Sequence, residues 1–241
     1  MPEHVASAPQ PVDRSRWAMP DAADADPDGP LAFGADLAVE TLVDAYRRGI
    51  FPWPHPDVPL PWFSPDPRGV VPVDAVRVSR SLRQRLRRSG WETTVDADFD
   101  AVVAACTLRP GRDGTWITPG MRAAYGRLNH LGWAHSLEVW DGNRLVGGLY
   151  GVRVGSCFTG ESMFHREPDA SKVALADLAA RWAEAGGELI DVQMTTPHLA
   201  SLGAADRPRA QFLPDLARLR DRTVCIRLDR LPVSRLVPTS E

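Results

Sequence analysis

The sequence predicts an α+β fold in which a small N-terminal domain is followed by a larger domain. Residues 134–163 have the pattern of three consecutive strands with tight turns between them. An amphipathic helix from Ser171 to Gly186 comes next, and an apolar strand at residues 187–194 follows it. Upstream, residues 50–69 combine many prolines with large aromatic side chains, which is typical of a packed but irregular region.

Capping residues and glycines place the elements that precede and follow the three strands. Asp36 is a suitable N-cap for a helix that ends at Gly49. Ser79 or Ser81 can cap a second helix, which ends at Gly90. The remaining elements are expected as a strand at 91–95, a helix at 99–108, a helix from Thr118 and Pro119 to Leu131, and a last helix around 213–219.

The composition is that of a globular protein without a membrane span. The chain has 241 residues, 44% hydrophobic and 24% charged. A chain of this length can bury roughly 70–75% of its unfolded surface. It has no apolar run of about 18 residues and no secretory-type N-terminus, so we expect a cytoplasmic protein. Cys106, Cys157 and Cys225 are widely spaced, which predicts neither a disulfide framework nor a structural zinc site.

The net charge of -3 conceals two opposite regions. Residues 1–30 hold six acids and two arginines among many Pro and Ala residues, which predicts a flexible acidic arm. Residues 77–90 hold six arginines and no acid. A local block of this kind favours a polyanionic partner, although a solvated basic helix would have the same pattern.

The aromatic residues at 50–69 allow two interpretations. Phe51, Trp53, Trp62 and Phe63 require burial, yet the prolines around them forbid long regular elements. They either pack as an ordered loop or form an aromatic wall around an apolar ligand. The sequence leaves both open.

Two carboxylates and an amide lie in strands that are otherwise apolar. The period of two puts Asp191 and Gln193 on one face of the strand at 187–194, and Glu161 lies in a similar apolar segment. Burying a carboxylate costs free energy unless it has partners, so these groups are either satisfied structural residues or part of a site.

The element order is that of the acyl-CoA N-acyltransferase (GNAT) fold, in which antiparallel strands precede a helix and a further strand. The central strands of that fold splay and hold an acyl donor beside an amine. Its acetyl-CoA branch binds pyrophosphate with a Gly-rich turn at a helix N-terminus. The corresponding residues 165–172 contain no glycine, which disfavours coenzyme A as the donor.

Ordered segments from about residue 30 to 220 resemble the bacterial leucyl/phenylalanyl-tRNA–protein transferase family. The segments are YRRGIFPW at 46–53, SPDPR at 64–68, GTWIT at 114–118, AHSLEVW at 134–140, LVGGLYG at 145–151, GESMF at 160–164, ASK at 170–172, LIDVQ at 189–193 and HLASLG at 198–203. This chain has Phe63 where a second Trp is common in the family, His165 where Ser is common, and Leu149 in place of a pocket Met.

The resemblance implies an aminoacyltransferase. The family moves Leu or Phe, and less readily Met, from aminoacyl-tRNA to the N-terminal Arg or Lys of a protein, which marks that protein for N-degron proteolysis. It uses no metal or nucleotide cofactor, and we expect a monomer. The resemblance implies a small N-terminal domain at 31–75 and a GNAT-like domain at 76–225, while the acidic arm at 1–30 and a C-terminal tail at 226–241 lie outside it.

The resemblance also implies roles for individual residues. Asp191, Gln193 and Glu161 are the candidate catalytic groups, with Asp191 as acid–base or orienting group, Gln193 beside it and Glu161 on the donor. The candidate pocket for the donor side chain is Trp53, Trp116, Leu149, Phe158, Met163, Leu178 and Trp182, of which Phe158, Leu178 and Trp182 could equally be core. The candidate tRNA-binding residues are Arg80, Arg83, Arg85, Arg87 and Arg88.

Some features receive no assignment from the sequence. The acceptor's N-terminal Arg or Lys calls for an acidic patch, for which Glu161, Glu167 and Asp169 are candidates. His135 and His198 match the segments but are given no chemical role, because a lone His is more often a packing residue. Two other functions remain: an acetyl-CoA-dependent N-acetyltransferase and a non-catalytic tRNA-binding protein.

Overall fold

A computed structural model describes residues 4–108 and 116–237, and two residues of the GTWIT segment, 114 and 115, lie outside these ranges. The fold is mixed α+β, as the sequence predicts. The described residues form a three-stranded sheet and an eight-stranded sheet. No helix in these two ranges is both long enough and apolar enough to cross a bilayer.

The N-terminal elements are short and closely packed. They are strand β1 (Pro30–Phe33), helix α1 (Val39–Arg47) and strands β2 (Phe51–Pro52) and β3 (Pro61–Phe63), with the sheet order β1-β3-β2. Asp36, the expected N-cap of α1, lies two residues before the actual cap, Ala38, and accepts hydrogen bonds from the Ala38 amide and the Thr41 hydroxyl. It therefore stabilises the start of α1 from outside the helix.

The larger sheet is built from the rest of the chain. Its helices and strands are β4 (Arg68–Pro72), α2 (Arg80–Arg88), β5 (Glu92–Val95), α3 (Phe99–Thr107), α4 (Pro119–His130), β6 (Ala134–Asp141), β7 (Arg144–Val154), β8 (Cys157–His165), α5 (Ala170–Glu184), β9 (Leu189–Gln193), α6 (Pro197–Ser201), β10 (Ala205–Arg207), α7 (Arg209–Leu219) and β11 (Leu231–Pro232). The strand order is β10-β4-β9-β8-β7-β6-β5-β11.

The predicted caps and turns account for most of these boundaries. Ser79 caps α2 and Thr118 caps α4, each by accepting a hydrogen bond from a main-chain amide three residues later. Gly142 takes the positive φ of 60° that the β6–β7 turn requires. Helix α5 starts earlier than its sequence predicts, because Asp169 takes the N-cap position with φ 72° and Ser171 lies inside the first turn.

Strand β4 shows that part of the expected N-terminal domain belongs to the larger sheet. It pairs antiparallel with both β9 and β10, although Arg68 and Gly69 lie in the region expected to be irregular. A Cβ atom at Gly69 would lie 2.7 Å from the Thr195 amide nitrogen. Glycine is therefore needed where β4 passes the end of β9.

Strands β8 and β9 diverge after a short parallel pairing. Their register runs from Cys157↔Leu189 to Thr159↔Asp191, and no pair follows it, although β8 continues to His165. Helix α5 is the crossover between the two strands. The carboxyl ends of β8 and β9 and the start of α5 therefore surround a wedge-shaped opening.

Apolar layers cover both faces of the larger sheet. One contains side chains of α1, α3, α4 and α7, and the other contains those of α2 and α5. Phe158 and Trp182 are fully buried in the second layer, with their rings 5.5 Å apart and edge to face. Cys106, Cys157 and Cys225, all within the described residues, form no disulfide bond.

The described parts of the arm and tail lie against the two sheets. Within residues 4–30, the side chains of Ala6, Met19, Ala22 and Ala25 are buried, and the Ala6 amide donates to the Ile226 carbonyl. This segment therefore packs against the rest of the protein and is not the flexible arm that the sequence predicts, because apolar residues between the acids reach the core. Ile226 and Val233 of the tail are also buried.

Candidate functional site

The opening between β8, β9 and α5 is a cavity of about 410 Å³. This volume falls within the usual range for a small-molecule site. Its lining residues are Leu149, Tyr150, Gly160, Glu161, Ser162, Met163, His165, Ser171, Leu175, Leu178, Ile190, Val192, Gln193, Thr196, His198 and Leu199. The wall is mostly aliphatic, with polar groups of β8, β9, α5 and α6 beside it.

Glu161 is the carboxylate of this cavity, and three side chains donate to it. The Tyr46 hydroxyl lies 2.7 Å from its Oε1, the Tyr125 hydroxyl 2.9 Å from its Oε2 and the Gln193 Nε2 3.0 Å from its Oε1. The Tyr46 and Tyr125 hydroxyls also contact each other. Two helices and two strands thus converge on one carboxyl group.

The pKa of Glu161 is raised to about 7, chiefly by burial and also by the negative charge of Asp191. The hydrogen bonds from Tyr46, Tyr125 and Gln193 act in the opposite direction, because they stabilise the carboxylate. At neutral pH the group can therefore both accept and release a proton, which is the property required of a general base or acid.

Asp191 lies outside the cavity lining and is 1% exposed. Arg68 binds it at two points, with Nε 2.8 Å from Oδ1 and Nη2 2.7 Å from Oδ2. The Thr159 hydroxyl donates to Oδ2 at 3.2 Å and the Gln193 amide to Oδ1 at 2.9 Å. The Arg68 guanidinium lies 4.7 Å from the centre of the Phe212 ring.

Gln193 does not follow the alternation of strand β9. Its φ is 63°, where a residue other than glycine is strained, and it follows a register shift between β4 and β9. The sequence predicts that Asp191 and Gln193 meet as neighbours on one face. Asp191 instead accepts from the main-chain amide of Gln193, whose side chain extends to Glu161.

The expected pocket residues separate into three groups. Leu149, Met163 and Leu178 line the cavity. Phe158 and Trp182 do not, because they are completely buried against each other in the core behind it. Trp53 and Trp116 are absent from the lining and pack at the edge of the other apolar layer, where Trp53 meets the Phe63 ring edge-on at 5.7 Å.

Several residues of the site are not identified by the sequence prediction. Leu175 is one helical turn after Ser171 on the cavity face of α5, a spacing that could have indicated it. Ile190 and Val192 lie on the strand face opposite Asp191. Tyr46 and Tyr125 carry no sequence signal, since nothing local separates a buried Tyr that packs from one that also donates.

Helix α2 has the form that its sequence predicts. Leu82 and Leu86 are buried, and the arginines spread over the remaining surface. Arg85 is the exception, since it lies over the Trp91 ring and 4.0 Å from Asp169 at the start of α5. The exposed members are Arg80, Arg83, Arg87 and Arg88.

Two of the candidate acids for the acceptor are engaged with cations. Glu167 forms an ion pair with Arg144 at 2.8 Å, and Asp169 forms one with Lys172 at 2.8 Å. The structure therefore leaves Glu161 as the acid at the cavity among the three candidates. Within residues 4–108 and 116–237, no group of three His, Cys, Asp or Glu side chains has the geometry of a metal site.

Comparison with known proteins gives consistent matches over most of the chain. The family model described as leucyl/phenylalanyl-tRNA protein transferase matches residues 70–217, and the model of its N-terminal domain matches residues 35–66. A leucyl/phenylalanyl-tRNA–protein transferase of Thiobacillus denitrificans is 58% identical over 195 residues, which cover 80% of this chain and 86% of that protein.

Other relatives have the same description. One from Nitratidesulfovibrio vulgaris is 53% identical over 196 residues, with 80% of this chain and 84% of the relative covered. One from Anaeromyxobacter is 51% identical over 208 residues, with 84% and 87% covered. Among solved structures, L-PGS from Bacillus licheniformis overlaps with a TM-score of 0.42 and 12% identity over 72% of this chain and 67% of that one, a likeness too weak to support an argument.

Proposed function

Because the chain belongs to the leucyl/phenylalanyl-tRNA–protein transferase family, and is thus an aminoacyltransferase that moves Leu or Phe from tRNA to proteins, we propose the finer details of its reaction. The acceptors are proteins with an N-terminal Arg or Lys, and the product is a substrate for N-degron proteolysis. Met is used less readily than Leu or Phe.

The cavity between β8, β9 and α5 receives the side chain of the donor amino acid. Leu and Phe share size and apolarity, and the aliphatic wall from Leu149, Leu178 and Ile190 suits both. A wall of this type distinguishes side chains by about 1–3 kcal/mol per methyl group, so β-branched donors are rejected only moderately. Trp53 and Trp116 lie outside the cavity, where they remain available for the part of the donor beyond its side chain.

The hydrogen bond between Glu161 and Gln193 is the observation that carries the chemical proposal. The acceptor's neutral α-amine attacks the ester carbonyl, the new C–N bond forms, and the bond to the ribose oxygen breaks. Glu161 takes the proton that the amine loses and returns it to the ribose oxygen, which leaves as a hydroxyl group. Proximity alone can supply about 7–11 kcal/mol in favourable cases, so the main task is to align amine and ester.

Asp191 acts in this scheme as a positioning residue. Its ion pair with Arg68 fixes the carboxylate, and the carboxylate in turn holds the Gln193 amide in its positive-φ conformation. The Gln193 side chain is then directed to Glu161 at the cavity. Asp191 itself takes no proton in this proposal.

The exposed arginines of α2 contact the phosphate backbone of the tRNA. Such contacts position RNA without reading its sequence, and they weaken as the salt concentration rises. They suit an enzyme that selects the amino acid more than the tRNA body. The residues are Arg80, Arg83, Arg87 and Arg88, with Arg85 at the edge of the group.

The order β8–α5–β9 and the divergence of the two strands support a GNAT-like domain. We place it at residues 76–225, after a small N-terminal domain at 31–75. Strand β4 falls within the second range but pairs with strands of the larger sheet. The protein acts as a monomer, without metal or nucleotide cofactor. Its location is cytoplasmic, since aminoacyl-tRNA is made and used there.

One assay tests this function directly. The protein is incubated with radiolabelled Leu-tRNA, Phe-tRNA or Ile-tRNA, or with labelled acetyl-CoA, and with peptides that begin with Arg or Ala but are otherwise identical. We expect label in the Arg peptide from Leu-tRNA and Phe-tRNA, less from Ile-tRNA and none from acetyl-CoA. Equal labelling of the Ala peptide would refute the proposed acceptor specificity.

A further inference from the structure

The proposed reaction leaves the side chain of the acceptor's first residue without a partner. Glu161 handles the proton of the α-amine, and its oxygens already bind two Tyr hydroxyls and the side-chain amide of Gln193. The guanidinium of an N-terminal Arg, or the ammonium of an N-terminal Lys, therefore needs a second acid. That acid has to lie within reach of a long side chain whose amine reacts beside Gln193.

Strand pairing brings one acid close to Gln193. Gly69 of β4 lies opposite Gln193 of β9 on one side and opposite Asp206 of β10 on the other. The three residues therefore form a row across three strands. Neighbouring strands are about 4.8 Å apart, so the main chain of Asp206 lies about 10 Å from that of Gln193.

The row lies on the face of the sheet that bears the cavity. Val71 and Ile190 are opposite each other and belong to the apolar layer of α2 and α5, and Ile190 lines the cavity. Gly69 precedes Val71 by two residues and so has the same orientation, which Asp206 shares because it lies opposite Gly69. The Asp206 side chain is therefore directed to the cavity face.

The residue between Asp206 and Gln193 has no side chain. The chain that leaves β9 lies directly on β4 at this point, since a Cβ atom at Gly69 would be 2.7 Å from the Thr195 amide nitrogen. Arg and Lys carry their charge at the far end of a long flexible stem. A stem that starts at Gln193 can pass over this low segment and place its charge at Asp206.

Asp206 is an acid without a cation. It is exposed, and with the residues that the structure describes it forms no ion pair and no side-chain hydrogen bond. Its neighbour Arg207 is paired with Asp215 at 2.6 Å. Asp66, at the same end of the sheet, accepts a hydrogen bond from the Arg209 amide at 2.9 Å. Asp206 therefore keeps its full capacity to bind a cation.

We infer that Asp206 binds the positively charged side chain of the acceptor's N-terminal Arg or Lys. The inference rests on the proposed function, because the amine that reacts at Glu161 and Gln193 brings this side chain to β4. A carboxylate accepts two parallel hydrogen bonds from Arg or pairs with the ammonium of Lys, so it favours both over an uncharged residue. Asp206 determines acceptor specificity and takes no part in the proton transfer.

The test compares two acceptor peptides that differ in charge. They begin with Arg or with citrulline, which has nearly the same shape without the positive charge, and radiolabelled Leu-tRNA is the donor. We expect the unaltered protein to use the Arg peptide with a kcat/KM about fivefold higher, the upper end for an exposed ion pair. Asp206→Asn should remove most of this preference by raising the KM for the Arg peptide, with kcat and the KM for Leu-tRNA unchanged.

Further variants control for charge, position and fold. Asp206→Glu keeps the carboxylate and should keep the preference. Asp74→Asn is the matched control, since Asp74 is also exposed but follows the opposite end of β4, and it should keep the preference too. Circular dichroism and thermal unfolding identify any loss of fold, and Asp206→Ser removes the charge if Asp206→Asn is unstable. A preference for Arg that survives the loss of this carboxylate, or an equal loss of rate with both peptides, overturns the inference.

The result is also distinguishable from failure of the proposed function. If the unaltered protein labels the Arg and citrulline peptides equally well, the role of Asp206 is wrong and the transferase reaction stands. If Leu-tRNA labels neither peptide, the proposed acceptor is wrong, and the role of Asp206 is wrong with it.

Discussion

Arg68 and Asp191 form a two-point ion pair in the interior of the protein, with N–O distances of 2.8 and 2.7 Å. Their side chains are 1% and 2% exposed. A pair of this kind fixes its surroundings, because removing either charge leaves the other buried without a partner. Asp191 uses its remaining hydrogen-bonding capacity on Thr159 and the Gln193 amide.

Asp191→Ala should abolish transfer and also destabilise the fold. The fold is destabilised because loss of one partner of a buried ion pair costs about 3–5 kcal/mol. Urea unfolding measures the loss in unfolding free energy, and single-turnover transfer measures activity. Replacing both partners, Arg68→Met with Asp191→Leu, should recover much of the stability but not the transfer. Near-normal transfer by Asp191→Ala would remove this residue from the mechanism.

Transfer should depend on a group with a pKa of about 7, because the pKa of Glu161 is raised to about 7, chiefly by burial. Below this pH the carboxyl group is protonated and cannot accept a proton, so the contribution of Glu161 to kcat/KM should rise with pH and level off above about pH 7. Glu161→Gln should lower the rate on the order of a hundredfold and remove this limb. The acceptor amine titrates as well, at about 7.7–8.0. Dividing the pH profile of the unaltered protein by that of Glu161→Gln therefore isolates the contribution of Glu161.

Stability provides an independent check on the same group. The pKa of Glu161 is raised on folding, from 4.5 to about 7, so the folded state binds the proton more tightly than the unfolded chain. The unfolding free energy should therefore fall as pH rises from 4.5 to 7 and then stay level. Glu161→Gln should lack that fall. Parallel curves for the two proteins would contradict the assignment.

Tyr46→Phe should move the acidic limb of the rate profile to higher pH. The Tyr46 hydroxyl donates to the Glu161 carboxylate and lowers its pKa, so its loss favours the protonated form. A hydrogen bond to a charged group corresponds to a shift on the order of one pH unit. Tyr125→Phe should act in the same direction, whereas Phe63→Leu, away from Glu161, should leave the limb in place.

Met163→Phe should reduce use of Phe more than use of Leu. Met163 lines the cavity, and a larger side chain there leaves less room for the bulkier donor. A change of about 1–2 kcal/mol in discrimination corresponds to roughly a tenfold change in the Leu/Phe ratio of kcat/KM. Phe158→Leu is the control, since Phe158 is buried behind the cavity and should affect stability but not the ratio.

Arg83→Glu and Arg87→Glu should raise the apparent KM for Leu-tRNA and flatten its dependence on salt. Each phosphate contact that is lost should reduce the slope of log affinity against log salt by about one. Arg14→Glu changes the charge equally at an exposed position outside α2 and should have no such effect. A salt slope equal to that of the unaltered protein would refute tRNA binding by this helix.

The sequence alone determines the elements whose signals are local. The arginines, the buried Leu82 and the cap at Ser79 define helix α2 within a dozen residues, and the strands from 134 to 163 follow from alternation and turns. The chain also carries enough family-specific segments to indicate an aminoacyltransferase, and Glu161 and Gln193 could be selected as polar groups in apolar strands.

Only the tertiary structure decides what those polar groups do. Arg68 is 123 residues from Asp191, and Tyr46 is 115 residues from Glu161. Strand periodicity assigns a side chain to a face but does not state which distant residue packs there, nor that Gln193 has a positive φ. Packing brings these residues together, so the tertiary structure places Asp191 in an ion pair and Glu161 at the cavity.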